Sequence, residues 1–172
     1  EAWERINNGE FPQLYALFPY KLTGIGKPDF EVALNTWRYG TDLYAPHLNE
    51  CWHQDPIFCA RLGLTDEVAQ LTSERLADAP TRFPAFWGMG HDWTPDLDHP
   101  GAGAIALQEM LIQTDGRAIR LLTAWPKDWD VAFRLHAPIQ TVVEGEYRDG
   151  RWVSLTITPE ERWKDVVATD EE

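Results

Sequence analysis

The chain contains few thiols, and their spacing argues against a disulfide. Cys51 and Cys59 are the only cysteines among 172 residues. If both lie on one helix, their separation along its axis is ~12 Å. A disulfide requires about 4.4–6.8 Å between Cα atoms. We therefore interpret both as small buried residues, which say little about the redox compartment.

Basic residues and long apolar runs are also scarce. The chain has 15 Lys and Arg residues against 28 Asp and Glu residues, and its formal net charge is −13. Such a chain lacks the basic surface that binds nucleic acid or an anionic membrane, so we expect neither as a partner. Because no apolar run approaches the length of a membrane span, we also expect no transmembrane helix. No charged leader or apolar signal segment follows Glu1, so a targeting signal is not visible.

Motifs that bind metals, phosphates or cofactors are missing as well. The sequence has no P-loop, no Gly-rich dinucleotide fingerprint and no serine nucleophile elbow. The spacing of His47, Glu50 and His53 matches no zinc motif, and one helix face cannot present all three. His91 and His99 lack ligand spacing too. We therefore expect neither a metal nor a cofactor.

Aromatic side chains, in contrast, are abundant. Nine tryptophans occur, and Phe, Trp and Tyr make up 12% of the chain. Large aromatic rings stabilise cores because they bury much apolar area. Indoles are also common in carbohydrate sites, because a flat ring matches the apolar face of a pyranose. Composition leaves both interpretations open.

The first hundred residues predict helices joined by long loops. Residues 12–18 predict a short helical turn, and a helix is predicted from Pro28 to about Gly40. The next helix is predicted over Asn49–Leu62, with a break or restart at Asp55-Pro56 and a stop at Gly63. The helix after that has Thr65 as its predicted N-cap, and its predicted buried face comprises Val68, Ala69, Leu71, Thr72 and Leu76.

The last predicted helix follows a long loop. Residues 80–100 contain four prolines, and a loop of this length is typical of a functional segment. Gly101–Gln113 then predicts a helix without a polar face, which belongs in the interior of a larger assembly of helices. Because so few helices cannot enclose it, we expect either further helices upstream of Glu1 or a partner subunit.

From Ala118 onward, apolar residues alternate with polar ones, as in strands. Asp149-Gly150 predicts a two-residue hairpin turn between two strands, and 162–168 predicts a last strand. The predicted fold class is therefore α+β. Its predicted domains are a partial helical domain over 1–116 and a small antiparallel β domain over 117–172.

The loop before the last helix concentrates reactive side chains. Asp96 and Asp98 lie just ahead of a helix N-terminus, which favours an ionised carboxylate. An ionised carboxylate in an aromatic pocket is suited to activate water as a general base. The alternative is that one aspartate caps the helix and the other is solvated. Trp52-His53-Gln54-Asp55 likewise predicts either the wall of a polar, aromatic-lined sugar cleft or a helix cap formed by Asp55.

Three segments resemble glycoside hydrolase family 95, the α-L-fucosidase and α-L-galactosidase family. Residues 14–19, LYALFP, resemble its LYGLYP segment. Asp96-x-Asp98-x-x-Gly101 followed by 107–113, LQEMLIQ, is similar to its DGNFGG and AEMLLQ blocks. Residues 121–129, LLTAWPKDW, resemble its LLPALPxxW segment, which opens a C-terminal β domain. The chain departs from the pattern at Pro100 and Ala102, which stand in place of an aromatic residue and a glycine.

The resemblance implies an (α/α)₆ barrel with a β-sandwich tail and an inverting mechanism. Aligning the Asp-x-Asn motif on the loop assigns the catalytic base to Asp96, whereas counting back from Glu109 assigns it to Asp98. We prefer Asp96, because the side chain of Asp98 then helps to orient the water. The family's general acid would lie upstream of Glu1, so we expect this piece to be inactive alone.

The predicted function is the C-terminal part of a secreted or periplasmic glycosidase that acts on an α-linked, fucose- or galactose-like sugar. Its predicted catalytic residues are Asp96 and Asp98. The predicted substrate-binding residues are Trp52, His53, Trp87, His91, Trp93 and His99. The alternative function is a non-catalytic carbohydrate-binding or structural protein on the same scaffold.

Overall fold

The computed structural model describes residues 11–40, 49–77 and 97–167. Four α-helices lie in these ranges, after a short 3₁₀ turn at Pro12–Leu14. Helix α1, Phe30–Asn35, continues into one π-helical turn, Thr36–Gly40. The helices are α1 (Phe30–Asn35), α2 (Asp55–Leu62), α3 (Thr65–Leu76) and α4 (Asp98–Leu111). No helix in the described ranges is long and apolar enough to span a bilayer.

Six strands in the same ranges form two three-stranded sheets, so the class is α+β, as the sequence predicts. The strands are β1 (Ile112–Asp115), β2 (Ala118–Leu121), β3 (Val131–Ala137), β4 (Thr141–Arg148), β5 (Arg151–Thr158) and β6 (Val166–Val167). One sheet has the order β1-β2-β6 and the other β3-β4-β5. The pairing is antiparallel except between β2 and β6, which run parallel.

The first residues of two helices differ from the prediction. Residues 49–54 are not helical, and α2 begins at Asp55, where the sequence predicts a break or restart. Pro56 fits the first turn of a helix because it has no backbone N–H to leave unsatisfied there. The predicted stop at Gly63 is confirmed, since this residue adopts a left-handed conformation. Thr65 is the first residue of α3 rather than its cap, and the capping position belongs to Leu64.

Helix α4 differs from its prediction in position and in polarity. It begins at Asp98 rather than Gly101, and it ends at Leu111 because Ile112 already pairs with Leu121 in the first sheet. The helix is not apolar all round, because its buried side includes a carboxylate. Glu109 is only 8% exposed, and its carboxylate accepts from Arg61 Nη1 at 2.8 Å and from Lys21 Nζ at 3.2 Å. These partners compensate a carboxylate whose burial alone would be costly.

The helical core is built around α2, every residue of which is buried. Phe58 and Cys59 of α2 pack with Val68 of α3 and Met110 of α4 in one apolar cluster, to which Leu14 also belongs. Cys51 and Cys59 are buried, as predicted, and no disulfide joins them, although Cys51 precedes α2 rather than sharing its helix. The predicted face of α3 is confirmed at Val68 and Thr72, whereas Leu76 is exposed and Arg75 is buried instead.

The two sheets share a second core. Ile112 and Ile119 of the first sheet pack with Val143 and Ile157 of the second. The predicted hairpin turn is confirmed, because Asp149 and Gly150 have φ values of 49° and 73°. These angles match a type I′ turn, whose twist suits the flanking strands.

The predicted last strand is mostly wrong. Glu160–Asp165 is a 3₁₀ helix, and only Val166–Val167 pairs as a strand. The reason is Arg162, whose guanidinium is buried and donates to Thr141 Oγ1 at 2.8 Å and to the Arg117 carbonyl at 3.0 Å. In an extended strand, Arg162 and Asp165 would lie on opposite faces, because successive side chains alternate. The 3₁₀ turn instead brings the two side chains together.

Gly145 occupies a position where a side chain does not fit. A Cβ atom there would lie 2.7 Å from the ring of Trp152 and 3.2 Å from that of Phe133. We expect Gly145→Ala to lower the free energy of unfolding by about 1–3 kcal/mol, because the rings must move. Gly101→Ala is the matched control. It places a methyl group in open space on α4 and should raise stability by about 0.5–1 kcal/mol. Urea denaturation measures both, and equal stability of Gly145→Ala and wild type would contradict the packing argument.

Candidate functional site

Two of the segments singled out in the sequence meet at Arg75 of α3. Its side chain is 1% exposed. Arg75 Nη1 donates to the Cys51 carbonyl at 2.8 Å and to the His99 carbonyl at 3.2 Å, and Nη2 donates to the His53 carbonyl at 2.9 Å. One guanidinium therefore holds the turn before α2 against the first turn of α4.

The ring of His99 reinforces this junction. The Cys51 backbone N–H donates to His99 Nδ1 at 3.2 Å, and His99 Nε2 lies 2.9 Å from the Arg75 carbonyl. These partners assign the neutral tautomer in which Nε2 carries the proton, because Nδ1 must accept. Asn49 completes the set, since its Oδ1 accepts from Arg75 Nε at 3.0 Å. Both ring nitrogens of His99 thus serve the fold, and its predicted contact with substrate stays a prediction.

A small pocket opens beside this turn. It is lined by Phe11, Tyr15, Trp52, His53, Gln54 and Phe58. The rings of Trp52 and His53 are stacked, with centroids 5.3 Å apart and planes inclined by 21°. Trp52 and His53, two of the predicted binding residues, are therefore in one pocket wall. His53 is buried, whereas Trp52 is half-buried.

The volume of the pocket and its buried polar atom determine which chemical group it can bind. Its volume is ≈ 20 Å³, which accommodates one water molecule or one hydroxyl group. A whole pyranose needs a far larger cavity, so only one substituent of a sugar would enter the part that the described residues form. Gln54 Oε1 is buried in the pocket region and accepts no hydrogen bond from the described residues. A buried acceptor without a donor is unusual, and a hydroxyl group would satisfy it.

The proposed base-bearing loop is only partly described. Asp98 is exposed in the first turn of α4, and the capping position belongs to Leu97. The carboxylate of Asp98 is therefore not buried among aromatic rings of the described ranges. Asp96, Trp87, His91 and Trp93 lie outside the described residues.

Most of the described tryptophans are accounted for by packing. Trp37 is buried in the helical core, and Trp125 and Trp129 pack against the same cluster. Trp125 Nε1 also donates to the Trp129 carbonyl at 2.8 Å. The rings of Trp152 and Phe133 pack over Gly145 in the second sheet. Of the tryptophans in the described ranges, Trp52 is the one that lines the pocket.

The described ionisable groups near the pocket form neither a metal site nor a reactive thiolate. Across residues 11–40, 49–77 and 97–167, no three His, Cys, Asp or Glu side chains are grouped to hold a metal ion. The pKa of the Cys59 thiol is raised well above its ordinary value, first by burial and then by the carboxylates of Asp55 and Glu67. The thiol is therefore protonated and unreactive at neutral pH.

Sequence reasoning missed Arg75, the residue that organises the site. It was not considered because it falls at the end of α3 among charged residues, where an arginine is normally solvated. The helical period nevertheless indicated that Arg75 is buried. Arg75 lies three residues after Thr72 and seven after Val68, and both of these are buried. A position on that face must be buried whatever its side chain.

No protein-family model matches the chain, and no curated protein is similar to it in sequence. The resemblance to the fucosidase family therefore remains an expectation from short sequence blocks.

Proposed function

We propose that the chain is part of an inverting glycoside hydrolase that acts on an α-linked, fucose- or galactose-like sugar. The single observation that carries the proposal is the junction at Arg75, where the turn bearing Trp52 and His53 abuts the first turn of α4. The two segments chosen from the sequence as cleft wall and base-bearing loop are thus neighbours. The choice of sugar rests on the sequence resemblance alone.

In this proposal, Asp96 or Asp98 is the general base. Either would deprotonate a water molecule that attacks the anomeric carbon while an acid protonates the leaving oxygen. Inversion requires the two carboxyl groups to be about 6.5–9.5 Å apart so that the water fits between them. The proposal assigns the acid to a segment upstream of Glu1 or to a partner subunit. The proposal also includes an (α/α)₆ barrel, which helices of that segment or subunit would complete, and a β domain that begins at residue 117. It further includes a secreted or periplasmic location.

The substrate-binding part of the proposal concerns the pocket. Gln54 Oε1 is an acceptor without a donor from the described residues, and the cavity beside it has room for one hydroxyl group. A sugar hydroxyl entering this space would donate to Gln54 while the rest of the ring remains outside. The half-buried ring of Trp52 offers an apolar surface next to that position.

The decisive experiment replaces each candidate base in the full-length parent protein. We expect either Asp96→Asn or Asp98→Asn to lower kcat on an aryl α-L-fucoside or α-L-galactoside by at least about 100-fold, the usual contribution of a general base. Asp66→Asn is the matched control, because Asp66 is also exposed in the first turn of a helix, α3. Its kcat should equal that of wild type. Unchanged turnover in both loop variants would exclude the proposed base.

A second function, carbohydrate binding without catalysis, is favoured by the exposure of Asp98. A general base that activates one bound water works best where bulk solvent is excluded, whereas binding needs only the aromatic pocket. Calorimetric titration with a panel of glycans distinguishes the two. Saturable binding without any hydrolysis by the full-length protein supports a binding protein, and turnover of any glycoside excludes it.

A further inference from the structure

We propose that the loop Gly24–Lys27 and the strand residue Arg120 form a binding site for a tetrahedral oxyanion, phosphate or sulfate, either free or as an ester on a larger ligand. The site lies where the helices meet the first sheet, and it is independent of the glycosidase proposal. Four kinds of observation support it: local charge, the position of Arg120, the position of Arg61 and the shape of the loop.

The local charge is opposite to that of the whole chain. Lys21, Lys27, Arg61 and Arg120 surround the loop, whereas the carboxylates paired with them are Glu109 and Asp115. Four cations against two carboxylates leave an excess of positive charge in a chain of net charge −13. Such an excess attracts an anion more strongly where the surroundings are partly buried.

Arg120 provides the principal donor. Its register partner on β1 is Gln113, so both side chains lie on the same face of the sheet, and Gln113 bonds to the Ala60 carbonyl of α2. The guanidinium of Arg120 therefore faces the helices. It has no hydrogen bond or ion pair with any residue of the described ranges. A half-buried guanidinium with its planar fork free suits bidentate binding of an oxyanion.

The loop is shaped around two guanidinium groups. A Cβ atom on Gly26 would lie 2.5 Å from Arg120 Nη2, and one on Gly24 would lie 3.4 Å from Arg61 Nη2. Both glycines also have positive φ, at 74° and 147°. Since the glycines are two residues apart, their Cα atoms lie within about 7 Å of each other. The backbone can therefore approach both guanidinium groups closely.

Arg61 adds a donor that the fold leaves unused. Its side chain is 3% exposed, and its Nη1 pairs with Glu109, but its Nε is buried and donates to no acceptor in the described part of the chain. Buried donors are normally satisfied by protein, water or ligand. An oxyanion held against the loop, or a water that it orders, would accept from this group.

The test is titration of the full chain with sodium sulfate and with sodium phosphate at constant ionic strength. We expect saturable NMR shifts at the Gly24 and Gly26 amides and at Arg120 Nε–H, with Kd on the order of 1 mM. Arg120→Met should raise Kd at least about tenfold, and Arg120→Lys should restore only part of the affinity because it lacks the fork. Arg151→Met, on exposed β5 of the other sheet, is the control and should leave Kd unchanged.

Further measurements distinguish a free anion from an ester, and a second variant controls for misfolding. Tighter binding of a sulfated or phosphorylated monosaccharide than of the inorganic ion indicates an ester ligand, and equal binding indicates the free ion. If Arg120→Met loses the native spectrum, Lys27→Met takes its place with the same expected rise in Kd. Linear, unsaturable shifts in wild type, or an unchanged Kd in the folded variant, would overturn the proposal.

Discussion

Arg75→Met should lower the free energy of unfolding by about 3–5 kcal/mol, because several buried oxygens lose a hydrogen bond from the guanidinium. The substitution removes the donors of the Cys51, His53 and His99 carbonyls, all of which accept from one guanidinium. A buried carbonyl left without a donor costs about 1–3 kcal/mol, so several such losses account for the total. Methionine fills much of the volume, which limits the contribution of a cavity.

Chemical denaturation of the variant and wild type measures this effect. Arg38→Met is the matched control, because Arg38 is exposed in the π-helical turn after α1 and should change stability by less than about 0.5 kcal/mol. Arg75→Lys should fall between the two, because an ammonium group cannot reach all the acceptors. A loss in Arg75→Met no larger than that in Arg38→Met would show that the junction does not stabilise the fold.

Arg162→Met should destabilise the chain by a similar amount, about 3–5 kcal/mol, and through a different part of the fold. Arg162 donates to Thr141 Oγ1 at the start of β4, to the Arg117 carbonyl between β1 and β2, and to Asp165 Oδ2. One buried side chain thus connects the two sheets. Arg151→Met, on the exposed surface of β5, should be nearly neutral. Equal stability of the two variants would contradict the argument.

The same cluster should respond to pH. Burial alone would raise the pKa of the Asp165 carboxyl, but the hydrogen bond and charge of Arg117, with the charges of Arg162 and Lys164, lower it below its ordinary value. A lowered pKa in the folded state means that this stabilisation is present above about pH 4, the unfolded value, and is lost as the pH falls through the folded value. The difference in unfolding free energy between Arg162→Met and wild type should therefore be smaller at pH 2–3 than at pH 7. Denaturation curves of both proteins at each pH measure it.

The elements predicted correctly from the sequence are those specified by neighbouring residues. Asp149-Gly150 predicts its hairpin because both positions must adopt positive φ, and Gly63 ends α2 for the same reason. The face of α3 is predicted at Val68 and Thr72 because a helical period places both on one side. In the candidate site, Trp52 and His53 line one pocket, but their contact with a sugar stays a prediction.

The tertiary structure decided which polar side chains are buried. Arg75 bonds to residues 22 to 26 positions away in the sequence, Arg61 to Glu109 over 48 positions, and Arg162 to Arg117 over 45. A helical period can place Arg75 on the buried face of α3, but no local period specifies these remote partners. The sequence therefore predicted a wholly apolar α4 and a strand through Arg162. A charged side chain is normally best placed in water, and it is buried only where remote partners replace that water. Those partners exist only once the chain has folded.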